Sequence, residues 1–178
     1  MMEAPEQMLV LVDEHDHAIG TMEKMEVHRK ALLHRAFSAF IFNSKGEMLL
    51  QRRALNKYHS GGLWTNACCS HPNPEELPSV AAERRLMEEL GFVTPVKFVF
   101  SFIYKAALDN ALTEYEFDHV LVGKYDGEVN INTKEVGDYC YRSMSEIKQE
   151  LSSHPGKYTA WFLIAFPMLE EYLAKNNA

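Results

Sequence analysis

The stretch TNACCSHP (65–72) sets Cys68 and Cys69 side by side, with His71 two residues past the second. A thiol close to an imidazole can be a nucleophile, a proton carrier or part of a metal site, and the local residues leave all three open. Other side chains of ligand type lie far away in the chain. His28 and His34, in VHRKALLHR, are six apart, which is no helix-face spacing, so they would have to converge through a turn. Glu114 and Glu116, in EYE, fall on one face of a strand by its two-residue period. With His71 they would make a shell of three nitrogens and two oxygens with room for water. Such a shell suits a divalent ion in octahedral coordination, with Mg2+, Mn2+ and Zn2+ all acceptable. Spacing alone does not bring the five groups together. His119 falls on the opposite face from the carboxylate pair and reads as structural, while His15, His17, His59 and His154 fit no pattern.

Strands and helices must hold these groups. MLVLVD (8–13) reads as a strand closed by the polar turn EHDH, and residues 21–35 are mixed and weakly helical. AFSAFIFN, SKG and EMLLQRR form a strand, turn, strand signal. The first of these strands is apolar on both faces, which predicts a central position. Residues 54–63 are a loop with Gly61 and Gly62, and HPNPEELP is a second loop carrying three prolines. A helix over about 78–90 follows and stops at Gly91. VKFVFSFIYKA and TEYEFDHVLVGKY are further strands, SMSEIKQELSSH is a short helix, and a last apolar helix starts near Thr159. Strands interleaved with helices indicate an α/β or α+β sandwich.

The helix ERRLMEELGF carries charge as well as an apolar stripe. Arg84 and Glu88, and Arg85 and Glu89, are four apart and share faces, as in an ordinary solvated helix. Ala82, Leu86 and Leu90 form the stripe, with Val80 and Met87 beside it; Glu83 interrupts it without an evident reason. This stretch resembles the Nudix box, G-x5-E-x7-R-E-U-x-E-E-x-G-U with U aliphatic, and matches it at Glu76, Arg84, Leu86, Glu88, Glu89 and Gly91. Ser70 stands in place of the first glycine and Arg85 in place of a glutamate. In the Nudix hydrolases that glutamate helps hold the metals, so the resemblance implies the fold and not the hydrolysis. A guanidinium at position 85 could instead grip a diphosphate oxygen.

Taken together the residues resemble one family, type I isopentenyl-diphosphate Δ-isomerase, which has a Nudix-type mixed sheet between helices. The runs that carry it are KMEVHRKALLHRAFSAFIFN, LLQRRALNK, WTNACCSHP, AAERRLMEELG, FIYKA, EYE and AWF, from about residue 24 to 165. The resemblance implies that Cys69 is the catalytic thiol and that Glu116, assisted by Tyr104, is its acid/base partner. It implies metal ligation by His28, His34, His71, Glu114 and Glu116, and a second ion, Mg2+, held by Glu89 together with the substrate diphosphate. Lys24, Arg53, Lys57 and Arg85, with Ser70 beside them, would neutralise that diphosphate. Lys57, in an evident loop, also reads as a solvated surface cation. Trp161 and Tyr104 would offer aromatic faces to a carbocation, though both also read as core residues; Trp64 fits either pocket or core. Cys68 and Cys140 read as small buried apolar residues.

The whole chain is consistent with such an enzyme. Its 178 residues are 47 % apolar and 24 % charged, as for one soluble domain with an ample core. A net charge of −7 argues against nucleic acid or an anionic membrane as partner, so an anionic ligand needs local cations or a metal. Three cysteines, two of them adjacent, make a poor disulfide framework, and no signal peptide or long apolar run is evident; a cytoplasmic monomer or homodimer is expected. Hydrolysis of a nucleoside diphosphate derivative and simple metal binding are the alternative functions. Neither accounts for Cys69.

Overall fold

Nine strands and four helices lie within residues 7–176, which a computed structural model of the protein describes. In chain order they are β1 (Met8–Val12), β2 (Ala18–Glu23), α1 (Lys24–Lys30), β3 (His34–Phe42), β4 (Met48–Arg53), β5 (Trp64–Asn66), β6 (Cys68–Ser70), α2 (Pro78–Leu90), β7 (Val96–Ala107), β8 (Thr113–Lys124), β9 (Val136–Arg142), α3 (Met144–Ser153) and α4 (Ala160–Asn176). The sequence pattern misses β2, β5, β6 and β9. β2 and β9 are mostly exposed and lack a regular alternation, and β5 and β6 have three residues each; they exist because β1, β4 and β3 offer them partners. Residues 21–35, expected to be weakly helical throughout, divide into the end of β2, α1 and the start of β3.

The strand predicted to be central is central. β3 pairs with β8 in parallel from His34↔Glu116 to Phe42↔Lys124, and on its other side with β6, where Ser38 faces Cys69. Its alternating residues supply two cores. Phe37, Ala39 and Ile41 pack with Ala81, Ala82, Leu86 and Leu90 of α2, while Phe40 and Phe42 pack with Ile147 of α3 and Trp161, Phe162 and Phe166 of α4. The sheet is therefore covered on both faces, as its doubly apolar strand requires. Adjacent residues of a strand point to opposite faces. Accordingly Cys68 is sealed in the α2 core and Cys69 turns to the α4 side.

α2 begins with Pro78 at its first position and ends at Gly91, φ +74°, where a Cβ would lie 2.7 Å from the Asn130 carbonyl oxygen. Only glycine fits there. Within α2 the expected stripe shifts: Val80 and Met87 are exposed, and Ala81 and Glu89 are buried instead. Nothing in the structure explains Glu83.

Candidate active site

Local geometry solves the problem of the two histidines. α1 is capped by the Glu23 carboxylate, which accepts from the Met25 and Glu26 amides, and it ends at Ala31 in the left-handed region. That turn folds β3 back so that His28 and His34 have ring centroids 5.1 Å apart. The β3–β8 register sets Glu116 beside His34, and the chain leaving β6 delivers His71. Ligand atoms of His28, His34, His71 and Glu116 all lie within 4.8 Å of one another, and all four residues are buried.

The donor set fits a divalent ion. His28 Nδ1 donates to the Lys24 carbonyl at 2.7 Å and His34 Nδ1 to the Leu32 carbonyl at 2.9 Å, so each ring turns an Nε2 lone pair inward. His28 Nε2 is buried without a hydrogen-bond partner, and the His34 and His71 Nε2 atoms face each other at 3.2 Å. A cation relieves such a convergence of lone pairs. Burial lowers His28 and brings His71 down to about 3, keeping both imidazoles in the neutral, ligating form. Burial works to raise Glu116, but its contacts with His34 and His71 outweigh that and hold it low.

Glu114 departs from the expected five-ligand set. Among the described residues it lies outside the group of four, with Oε2 3.0 Å from the Tyr104 hydroxyl and Oε1 3.7 Å from His59 Nε2. Burial and the charge of Glu116 push Glu114 well up. Tyr104, paired with Glu116 across β7 and β8, also stands 2.8 Å from Glu116 Oε2. The single hydroxyl proton can serve only one of the two carboxylates, and Glu116 Oε2 is the nearer acceptor.

Cys69 lies in the same cavity. Its thiol donates to Asn66 Oδ1 at 2.9 Å, and the sulfur accepts from Trp161 Nε1 at 3.0 Å. Burial, then the charge of Asp118, pushes the thiol well above its usual range. Trp161 is thus core and cavity wall at once; it also takes the Arg53 guanidinium over its ring at 5.4 Å. Trp64 packs under Arg52 and does not line this cavity. Cys68 is buried as expected, whereas Cys140 is only half-buried.

Lys24, Arg53, Lys57 and Arg85 all line the cavity, as does Ser70. The picture of Lys57 as a solvated cation is wrong: its side chain is 18 % exposed and pairs with Glu135 at 2.5 Å. Arg85 is engaged by Glu88 and Glu89, both at 2.6 Å, and Glu135 at 3.5 Å. Glu89 is buried, with its other oxygen accepting from Gln51 at 2.8 Å. Lys24 has no carboxylate partner among the described residues. Burial, then Lys57, Arg85 and Arg53, lowers its ammonium to about 8. Cations crowded this closely favour an anionic guest.

A pH dependence follows. Since the free-protein Lys24 loses its proton near pH 8, kcat/KM for an anionic substrate should fall as pH rises through 8. In Lys24→Arg that fall should leave the accessible range, because a guanidinium stays charged. A pH profile of both proteins checks this, and an unmoved alkaline limb would assign it to another group.

The sequence pattern missed several lining residues: Gln51, Tyr58, His59 and Glu135. His59 is buried and meets Trp161 edge-on at 5.9 Å, and burial lowers it to about 3. Tyr58 and His59 lie in a loop without periodicity, and Glu135 stands in a polar turn, so no sequence signal marked them. His119 is structural as expected, bonded to Asp16 at 2.9 Å and the Ala36 carbonyl at 3.1 Å.

This architecture is shared with known proteins. Residues 32–162 match the NUDIX domain model. A Deinococcus radiodurans crystal structure superposes with a TM-score of 0.75 at 16 % identity, covering 91 % of this chain and 98 % of that one. A MutT protein from Methanosarcina mazei gives 0.66 at 22 %, covering 82 % and 96 %. At such identities the likeness speaks for fold alone, and the class is NUDIX. Sequence relatives are more specific. The "Isopentenyl-diphosphate Delta-isomerase 2" of Photorhabdus laumondii is 52 % identical over 88 % of this chain and 89 % of its own length. The "Isopentenyl-diphosphate Delta-isomerase" of Serratia proteamaculans is 48 % identical over 89 % and 88 %. The chain belongs to the isopentenyl-diphosphate Delta-isomerase family.

Proposed function

We propose that this cavity converts isopentenyl diphosphate to dimethylallyl diphosphate by adding one proton and removing another. The observation that carries the reading is the meeting, in one cavity, of the Cys69 thiol, the tyrosine-bound Glu116 and four cations. Moving the double bond requires protonation of a very weakly basic alkene, giving a tertiary carbocation, and then loss of a proton from the neighbouring carbon. Two acid/base groups are needed. Protonated Glu116, assisted by Tyr104, would deliver the proton and Cys69, as the thiolate, would take one away. In the reverse direction Cys69 starts as the thiol, the form it has in the free cavity, and Glu116 as the carboxylate. Trp161 and Tyr104 face the cation with π-density, worth about 0.5–2 kcal/mol. Burial of the site protects that cation from capture by water.

Lys24 and Arg53 would bind the diphosphate first, being without carboxylate partners among the described residues, and Lys57 and Arg85 would join when it displaces Glu135. Ser70 lies beside them. His28, His34, His71 and Glu116 would hold a divalent ion, with Mg2+, Mn2+ and Zn2+ all suited; a fifth ligand from Glu114 requires its carboxylate to leave Tyr104. Bound there, the ion supplies a fixed positive charge that makes the Glu116 carboxyl a better acid. A Mg2+ carried in with the diphosphate would share Glu89 with Arg85 and Gln51.

The lining residues run from Lys24 to Trp161, which supports one catalytic domain over 1–178 with its core at about 24–165. Among the described residues no helix is long and apolar enough to cross a membrane; the three free thiols suit a reducing compartment, which supports a cytoplasmic setting. Hydrolysis is disfavoured because Arg85 stands among the carboxylates of α2, neutralising Glu88 and Glu89. Incubation with isopentenyl diphosphate and Mg2+ should yield dimethylallyl diphosphate and no phosphate. Phosphate in a colorimetric assay would turn the assignment toward a hydrolase.

A further inference from the structure

We propose that Asn66 is a positioning residue that fixes the direction of the Cys69 S–H bond. This rests on the reading of Cys69 as an acid/base group. Asn66 is fully buried at the end of β5, and its amide has no freedom to turn. Nδ2 donates to the Ala39 carbonyl at 2.9 Å and to the Cys68 carbonyl at 3.0 Å, which uses both of its hydrogens. A flipped amide would press Oδ1 against those two carbonyl oxygens with no proton between them, so the assignment is decided by the network. Oδ1 therefore faces away, toward the Cys69 sulfur at 2.9 Å and the Thr65 hydroxyl at 2.9 Å.

The partners of the sulfur are then determined. Its proton goes to Asn66 Oδ1, and one lone pair accepts the Trp161 indole N–H at 3.0 Å. Ser38 Oγ donates its own proton to Asp118 Oδ2 at 2.7 Å, so toward the sulfur it can only accept, and at 3.5 Å it is a far longer acceptor than Asn66 Oδ1 at 2.9 Å. The remaining lone pair is what the sulfur shows to the cavity. The same network seats α4: Thr159, just before it, donates to Thr65 Oγ1 at 3.0 Å, and two residues later Trp161 meets the sulfur. Asn66 does not itself line the cavity and reaches it through Cys69. Proton transfer at carbon needs the sulfur aimed along one line, and a small error in that line slows the step without weakening diphosphate binding.

The infrared S–H stretch of Cys69, isolated as wild type minus Cys69→Ser, should lie at the lowered frequency of a hydrogen-bonded thiol. In Asn66→Ala it should move to the free-thiol frequency, and kcat should fall about tenfold or more with KM within about twofold. If Asn66 only holds the fold, Asn66→Ala lowers Tm while the band and kcat stay, and the proposal fails. If Asn66→Ala does not fold, the wild-type band decides, since a free-thiol frequency there overturns the proposal. Absence of isomerisation in wild type with a bonded S–H band would instead defeat the functional reading and leave the geometry intact.

Discussion

Cys69→Ala should lose isomerase activity by about 10²–10⁴-fold, the usual contribution of one general acid or base, while Cys68→Ala retains most of it. The two cysteines are neighbours in sequence and chemically alike, so the comparison isolates position. Cys69 lines the cavity with its sulfur between Asn66 and Trp161. Cys68 is sealed against α2 on the other face of the sheet, among Ala81, Ala82 and Leu86. Truncating it leaves a void about the size of a methyl group and costs about 1 kcal/mol of stability. The expected pair of results is an inactive, fully stable Cys69→Ala and an active, slightly destabilised Cys68→Ala. Equal losses of turnover would remove the thiol from the chemistry.

Glu116→Gln should be as damaging, for two separate reasons. The amide cannot carry the carboxyl proton, which costs about 10²–10⁴-fold in kcat. It also removes the one carboxylate of the four-ligand cluster, so uptake of a divalent ion should weaken, by about 10-fold or more. Calorimetric titration with Mn2+ reads the second effect without reference to turnover. The fold should survive, because Gln keeps the shape and one acceptor oxygen for Tyr104. A variant with normal metal affinity and normal kcat would exclude Glu116 from both roles.

Much of this arrangement was legible from the chain. β3 shows its central place by being apolar on both faces, and α2 shows its limits by Pro78 and Gly91. The two-residue period of EYE correctly put Glu114 and Glu116 on one face, and the six-residue gap between His28 and His34 correctly demanded a turn, found at Ala31. What stayed hidden depends on contacts made at long range. β5 and β6 are too short and β2 and β9 too irregular in pattern to announce themselves, and they form because neighbours supply hydrogen bonds. Lys57 looked solvated because nothing local reveals that Glu135, far along the chain, closes over it. Asn66, at the end of the three-residue β5, and His59, in a loop, carry ordinary side chains, and their partners come from β3, β6 and α4. Val80 and Met87 were misjudged as flanking the apolar stripe because α2 is rolled toward Ala81 and Glu89.

The central claim is that two protein groups, each able to exchange its proton with solvent, add hydrogen to the terminal alkene carbon and remove it from the carbon two positions away, on the other side of the cationic centre. Turnover of isopentenyl diphosphate in D2O, followed by deuterium NMR, reads this directly. Deuterium should appear in the new methyl group of dimethylallyl diphosphate, at the carbon that began as the terminal alkene carbon. Product formed with that methyl wholly protiated would mean the hydrogen moved within the substrate, and the assignment of Cys69 and Glu116 would be contradicted.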